Sequence, residues 1–459
     1  MSQTSNMIDL PTEVVEQFVD LLDDDRESLL ACSQVARSWH IRSMAHIFRV
    51  LRIVHGDAQH WSRWFSSSDE QDEEQMEEAF IRVTVSEFRD DLLVNFAHLV
   101  RFVEHLQISS RFGDDGNRND QNARTEFFSS SAFRLPDGHN VKRVTITGDS
   151  FLLPSTGRDG VSLQQFANTF AQVSMLSIGH IASSTFKEIS RLLSCFPGVT
   201  RLELSSVRSV SSEDEDDSHR SWLAPRFVQP CAIRITSGDF NISHMMLWIS
   251  LAARAISDVT LHVVVPSRDR HPSNDFIEVL KSTPAITRNL VTVLKLELKW
   301  DRIRFVVPGI NSLFPNIEYL RLDCRDTGWH WNSDIDLTRT LSATFWVPGL
   351  DGEVSVTPRR SKLRVLVFVL GCEFLPSQEP SWESLPITLS TDQWKDLRLC
   401  LVRLTCGKTI PSNTKRQMRS SLDRVCKNTK AGFCIDDSRE KEEYPGEAQN
   451  FIQLRRHRD

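Results

Sequence analysis

Hydrophobic and polar positions follow two different periods in this chain, one near its start and another through most of its length. Residues 10–22 read LPTEVVEQFVDLL. On a wheel at about 100° per residue, Val14, Val15, Phe18, Val19, Leu21 and Leu22 share one sector. Thr12, Glu13, Glu16, Gln17, Asp20 and Asp23 occupy most of the remainder. The apolar sector spans about 160°, wider than the ~100° stripe that one internal packing face needs. Pro11 suits the first turn of such a helix, where an N–H would lack a partner anyway. Glu13 suits the partial positive charge there. Asp23-Asp24-Asp25 ends this helix and offers an N-cap to the next. Leu29, Cys32, Val35 or Ala36, and Trp39 then recur at helical spacing, and a third helical stretch carries Ile41, Ala45, Ile47 and Phe48. Three short helices bury too little surface to stand securely alone. Either the following domain covers the surplus apolar face, or another protein does.

Beyond this region the period changes. Ten segments fit the template apolar-x-x-apolar-x-apolar, beginning at Val103, Val141, Val173, Val199, Pro230, Ile256, Val293, Ile317, Leu363 and Trp394, at intervals of 24 to 46 residues. Two are close copies, FPGVTRLEL at 196–204 and FPNIEYLRL at 314–322. Segments of helical period lie between them: Leu163, Phe166, Phe170 and Val173; Phe186, Ile189, Leu193 and Phe196; and an almost wholly apolar run over 245–255. A strand followed by a helix at a period near 30 residues predicts an irregular leucine-rich-repeat-like α/β solenoid with a curved parallel sheet. A less regular α/β domain is the alternative. The position a few residues after Leu-x-Leu, where such repeats carry Asn or Cys, is variable here (Val207, Asp149, Ile181, Arg325). In a solenoid, the x positions of each strand would face a concave, partner-binding surface. They include His105, Gln107, Arg143, Thr145, Arg201, Glu203, Lys295, Glu297, Arg321 and Asp323. Their default reading is a solvated sheet face, and no residue can be assigned to a target.

The N-terminal residues carry a family likeness. Leu10-Pro11-x-Glu13-Val14-Val15-x-x-Phe18-Val19-x-x-Leu22, then Leu29-Leu30-x-Cys32-x-x-Val35-x-Arg37-x-Trp39, resembles the F-box from end to end. The wording DDDRESLLACS and the Ile47-Phe48-Arg49 close are similar to F-box proteins of mushroom-forming fungi. The resemblance implies docking on the small adaptor of an SCF (Skp–cullin–F-box) ubiquitin ligase and, through it, on cullin. Leu10 and Pro11 would seat the first helix on the adaptor. Val14, Phe18 and Leu22, with Leu29, Val35 and Trp39, would supply the apolar contact and hold the helices together. One half of the wide sector would then face inward and the other the partner. Ala36 stands where the family more often has Cys or Ser, a small residue in either case.

The expected organisation is a disordered leader (1–6), an F-box (7–54), an acidic helical connector (55–98), a leucine-rich-repeat-like domain (99–434) and a charged, disordered tail (435–459). Residues 69–78, DEQDEEQMEE, hold seven acids and no base, and 213–217 read EDEDD. Both fit solvated surface segments, with an acidic docking tail as the other reading. Residues 415–430 carry six bases and one acid, the pattern of a solvated terminal helix.

Composition narrows the function classes. The longest uninterrupted apolar stretch is 365–370, VLVFVL, far below the ~20 residues of a membrane helix. The start lacks a basic-then-apolar leader, and nine scattered cysteines suit a reducing compartment, so an intracellular setting, cytoplasmic or nuclear, is expected. Lys and Arg number 54 against 61 Asp and Glu, a net charge of −7 that argues against nucleic acid as the partner. Neither catalytic spacing nor a cofactor or metal motif is found. His55 with His60 and Cys400 with Cys406 are single spacings, and His330 between two tryptophans reads as packing. The expectation is therefore a substrate receptor that is not itself an enzyme. The alternative is a scaffold that uses the same helices outside a ligase.

Overall fold

Each of the three N-terminal helical segments forms, and each opens at a recognisable start. The computed structural model describes residues 11–23, 25–55, 81–84, 87–110, 135–136, 138–147, 168–179, 186–205, 227–237, 242–264, 283–297, 310–324, 362–371, 396–405 and 432–436. Helix α1 spans Thr12–Asp20, with Pro11 as its N-cap residue and the Pro11 carbonyl accepting the N–H groups of Val14 and Val15. Helix α2 spans Arg26–Cys32, and its Asp25 cap accepts the Ser28 N–H at 3.1 Å. Helix α3 spans Arg37–Ile47. Val15 and Val19 of α1, Leu29 and Cys32 of α2, and Ser43 and Ile47 of α3 are the buried residues of these helices. They recur at i, i+3 or i+4, the spacing of one helical face.

The chain divides into two compact units, Met1–Ser237 with His244–Asp258, and Gly238–Ser243 with Val259–Asp459. In the first, β1 (Val50–His55), β2 (Ile81–Thr84), β3 (His105–Ser110), β4 (Arg143–Thr147), β5 (Met175–Gly179), β6 (Arg201–Ser205) and β7 (Cys231–Ser237) lie in the order β2-β1-β3-β4-β5-β6-β7. Every pairing in that run is parallel. Leu51, Leu106, Val144, Leu176, Leu202 and Ile233 form one cross-strand row. Ile53, Ile108, Ile146, Ile178, Leu204 and Ile235 form the next, and all twelve side chains are at most 2% exposed. The apolar template thus supplies two adjacent layers of a single core.

In the second unit β8 (Ile256–Val264, in this unit from Val259 on), β9 (Val291–Glu297), β10 (Tyr319–Cys324), β11 (Val365–Gly371), β12 (Leu399–Thr405) and β13 (Gly432–Asp436) follow one another, again parallel. Leu261, Leu294, Leu320 and Leu366 continue the pattern. The architecture is α/β, with long parallel strand runs and few helices among the described residues. Ile242–Ser250 is one of those helices, and it buries Met245, Met246, Trp248 and Ile249.

Strands β3, β4, β5, β6 and β11 are entered by the same backbone step. Glu104 and His105 donate to the Arg49 carbonyl, Lys142 and Arg143 to Glu104, Ser174 and Met175 to Lys142, and Thr200 and Arg201 to Ser174. Arg364 and Val365 repeat the step onto Glu318. A tight turn lies just upstream, where Val103, Val173, Val199 and Ile317 donate to the carbonyls of Val100, Phe170, Phe196 and Phe314, all four buried. The residue just before the template's first apolar position ties one turn to the last. Asn140 bonds Glu104 at 3.2 Å, Gln172 bonds the His139 carbonyl, Asn316 bonds the Asn289 carbonyl at 2.6 Å, and Lys362 bonds Asn316 at 2.8 Å. This link stands before the strand, whereas the sequence pattern placed it after Leu-x-Leu.

Several expectations are corrected. The third helix ends at Ile47, and Val50–His55, largely inside the expected segment 7–54, is a strand paired on both sides. The connector is not wholly helical: it contains β2 and the π-helical turn Glu87–Leu92. Thr84 and Glu87 cap that turn reciprocally, at 2.7 Å from the Thr84 N–H and 3.2 Å from the Glu87 N–H. Register puts Val259, Val291 and Leu397, rather than Ile256, Val293 and Trp394, in the first template position of their strands. Strand β13 runs to Asp436, two residues into the expected tail. The leader, both acidic runs, the basic stretch 415–430, residues 437–459 and His330 lie outside the described residues.

Candidate docking surface

Helix α1 buries only half of its wide apolar sector. Val15 and Val19 turn inward, at 5% and 0% exposure, while Val14 and Phe18 remain 46% and 49% exposed and Leu21, just past the helix, 85%. Val14, Phe18 and Leu21 recur at i, i+4 and i+7, so they line one stripe. Phe18 meets Trp39 of α3 with ring centroids 5.6 Å apart, which joins the stripe to the third helix. Leu30, Val35 and Ile41 add exposed apolar side chains on or beside α2 and α3. Single exposed leucines are ordinary on a protein surface; an i, i+4, i+7 stripe flanked by others is a patch that calls for a partner.

The residues expected at an adaptor interface fall into distinct places. Pro11, Val14, Phe18 and Val35 are exposed, and Leu22 and Trp39 half-buried. Leu29 is fully enclosed, so it holds the helices together and offers nothing to a partner. Leu10 lies outside the described residues. Leu21, Leu30 and Ile41 belong with the exposed set although the interface reading omitted them. For Leu21 the signal was present, since the wheel puts it in the apolar sector of α1.

A polar clasp sets the tilt of α1 on α3. Arg42 donates from Nε and Nη2 to the two Asp20 oxygens, at 2.6 and 2.7 Å. His46 lies between two carboxylates, Nε2 at 2.8 Å from Asp20 and Nδ1 at 2.7 Å from Asp23. Arg49 donates to the second Asp23 oxygen at 2.9 Å. Hydrogen bonding to Arg42 holds the Asp20 carboxyl down at about 2 against the opposing effect of burial, with His46 adding to the lowering. The same pairing raises Arg42. Arg42 and His46 share one face of α3, Arg49 follows just past its end, and Asp20 and Asp23 are three residues apart. That complementarity was readable in the sequence.

The x positions of the strands form the opposite side of the sheet, and they are less solvated than expected. His105, Gln107, Arg321 and Asp323 are 6% exposed or less. Val365, Val367 and Val369 of β11 are buried on that side too. Polar groups there pair with one another: His105 with Thr145 at 2.8 Å, His262 with Glu297 at 2.7 Å, and Arg321 with Asp323 at 2.9 Å.

Neither a metal-ligating group of three or more His, Cys, Asp or Glu, nor a helix long and apolar enough to cross a membrane, occurs among the described residues. Cys32, Cys195 and Cys231 are buried and free. Burial pushes the thiols of Cys195 and Cys231 up to about 12, away from the thiolate that nucleophilic chemistry needs.

No family model matches the chain, and no curated protein matches it. Among solved structures it is similar to a protein of Bacteroides fragilis, at 15% identity over 75% of this chain and 76% of that one, with a TM-score of 0.29. A likeness of that size bears on neither fold nor function.

Proposed function

We propose that this chain is the substrate-recognition subunit of an SCF-type ubiquitin ligase: its N-terminal helices are an F-box that docks the adaptor, and its leucine-rich-repeat-like strands hold a target protein. The observation that carries the reading is the stripe Val14, Phe18 and Leu21, left exposed by a helix whose other half is fully buried. Seating it in an apolar groove would remove surface worth roughly 1.5–3 kcal/mol per fully covered large side chain. The F-box likeness of residues 10–39 names the groove's owner as the adaptor. The chain's part in ubiquitin transfer is then proximity, raising the effective concentration of target lysines near the charged enzyme. The chemistry belongs to the other subunits.

The test is co-purification with the adaptor. A Val14→Asp, Phe18→Asp double variant, altered only at exposed positions, keeps its fold and loses the adaptor, with cullin lost alongside it. Equal recovery of adaptor by wild type and variant overturns the docking. Adaptor recovered without cullin makes the chain a scaffold outside the ligase.

A further inference from the structure

His46 lies in the last turn of α3, and its ring meets a carboxylate at each nitrogen. Nε2 stands 2.8 Å from an Asp20 oxygen and Nδ1 2.7 Å from an Asp23 oxygen. An ionised carboxylate can only accept, and a neutral imidazole carries one N–H and one lone pair. With a neutral ring, one of the two contacts would set lone pair against lone pair. Two ring protons satisfy both, so the geometry fits the imidazolium form. The helix end favours the same form, because its unpaired carbonyls give it a partial negative charge. The side chain is 13% exposed, so solvent screens these contacts only in part.

Charged groups surround His46 from each neighbouring element. Asp20 comes from α1, Asp23 from the turn after it, Arg42 from α3 and Arg49 from just past its end. Glu16 of α1 acts on Arg42 from further off, and Asp25 at the start of α2 is engaged by Ser28. In the string Arg42–Asp20–His46–Asp23–Arg49, signs alternate throughout only if the ring is charged. Asp20 stays ionised down to about 2. The acid limit of the string therefore lies far below the range of about pH 5 to 8 in which imidazoles change charge.

We propose that His46 is a proton-operated latch on the docking stripe: charged, it ties both α1 and the turn after it to α3; neutral, it releases one of the two. The form with both ties holds the extra proton, so the latch is closed on the acid side of neutrality and opens as pH rises. Helix α1 is nine residues long, and Asp20 ends it two positions after Phe18, so a loosened end loosens the stripe. The latch regulates the adaptor docking proposed above and rests on that reading for its effect on a partner, whereas its protonation can be read in the chain alone.

The experiment labels the histidine ring nitrogens of the full chain with nitrogen-15 and follows them by NMR from pH 6 to pH 8, with His46→Gln identifying the His46 signals. At pH 6 both His46 nitrogens carry a proton, and one proton is lost as pH rises. Over the same range the α1 amides of wild type lose protection, after correction for the intrinsic pH dependence of exchange, and adaptor affinity falls by at least about threefold. In His46→Gln, which keeps a donor but cannot charge, both stay at the lower level throughout. A single ring proton on His46 at pH 6, or the same pH profile in wild type and variant, overturns the latch. Absence of adaptor binding by either protein at every pH overturns the docking reading instead, and the ring nitrogens and α1 protection then decide the latch alone.

Discussion

Arg49 joins Asp23 at 2.9 Å through its side chain while its carbonyl accepts the N–H groups of Glu104 and His105, the entry to β3. One residue thus ties the turn after α1 to the first rungs of the sheet. His46 and Arg42 extend the tie to Asp20. The exposed stripe of α1 is therefore held at a fixed angle by side chains that lie outside the stripe.

Replacing Arg49 with Ala is expected to cost about 1 kcal/mol, the upper end for a part-exposed ion pair. Amide exchange in α1 and α2 should quicken while Leu106 and Val144 stay protected, as mass-resolved hydrogen exchange can show. Unchanged exchange in the helices would mean the clasp does not hold them.

Asp20 sets a pH dependence with a definite sign. Its carboxyl sits at about 2 in the folded chain against 3.8 ordinarily, so it stabilises the fold above the ordinary value. That contribution fades as pH falls through about 2. Asp20→Asn should be less stable than wild type by about 1 kcal/mol at neutral pH. Urea unfolding between pH 6 and pH 2.5 should show the gap narrowing below pH 4; a constant gap would contradict the pairing.

Leu29 and Val35 separate stability from docking. Leu29 is fully enclosed and Val35 is 65% exposed. Leu29→Ala should cost about 2–5 kcal/mol, and Val35→Ala within about 0.5 kcal/mol. Thermal melts measure the first effect; adaptor affinity, reduced in Val35→Ala, measures the second.

Gly198 lies in the turn before β6, where an added Cβ would stand 2.3 Å from the Ala171 carbonyl oxygen. That oxygen is backbone and cannot swing aside, so Gly198→Ala should cost about 1–3 kcal/mol. Gly138, at φ +81° with open space around it, should lose only about 1 kcal/mol on the same change, from backbone strain. Comparing the two melting temperatures distinguishes crowding from strain.

Much of the strand ladder was legible because the template has a physical basis: Leu202 and Leu204, or Leu320 and Leu322, point the same way on a pleated strand and must be buried together. Phase was harder. Where apolar residues run on, as at 291–298, several template positions fit, and only pairing with β10 selects Leu294 and Leu296. Strands β1 and β2 escaped notice because their neighbours in sequence are helical or acidic, and the pairing of β1 with both β2 and β3 is invisible locally. In the helices, the sector width of α1 foretold a split between inner and outer faces. Helical spacing set Leu29 with Cys32 and left out Leu30, and the first two are buried while Leu30 is 41% exposed.

The backbone step that repeats from Arg49 to Glu104, Lys142, Ser174 and Thr200 means that each rung from β3 to β6 needs only the rung made before it. Such a chain can build up in the order in which it is synthesised, each newly emerged segment finding its template already in place. It can also gain or lose a whole rung in evolution without disturbing distant ones, which makes the length of the strand ladder adjustable while the N-terminal helices stay the same.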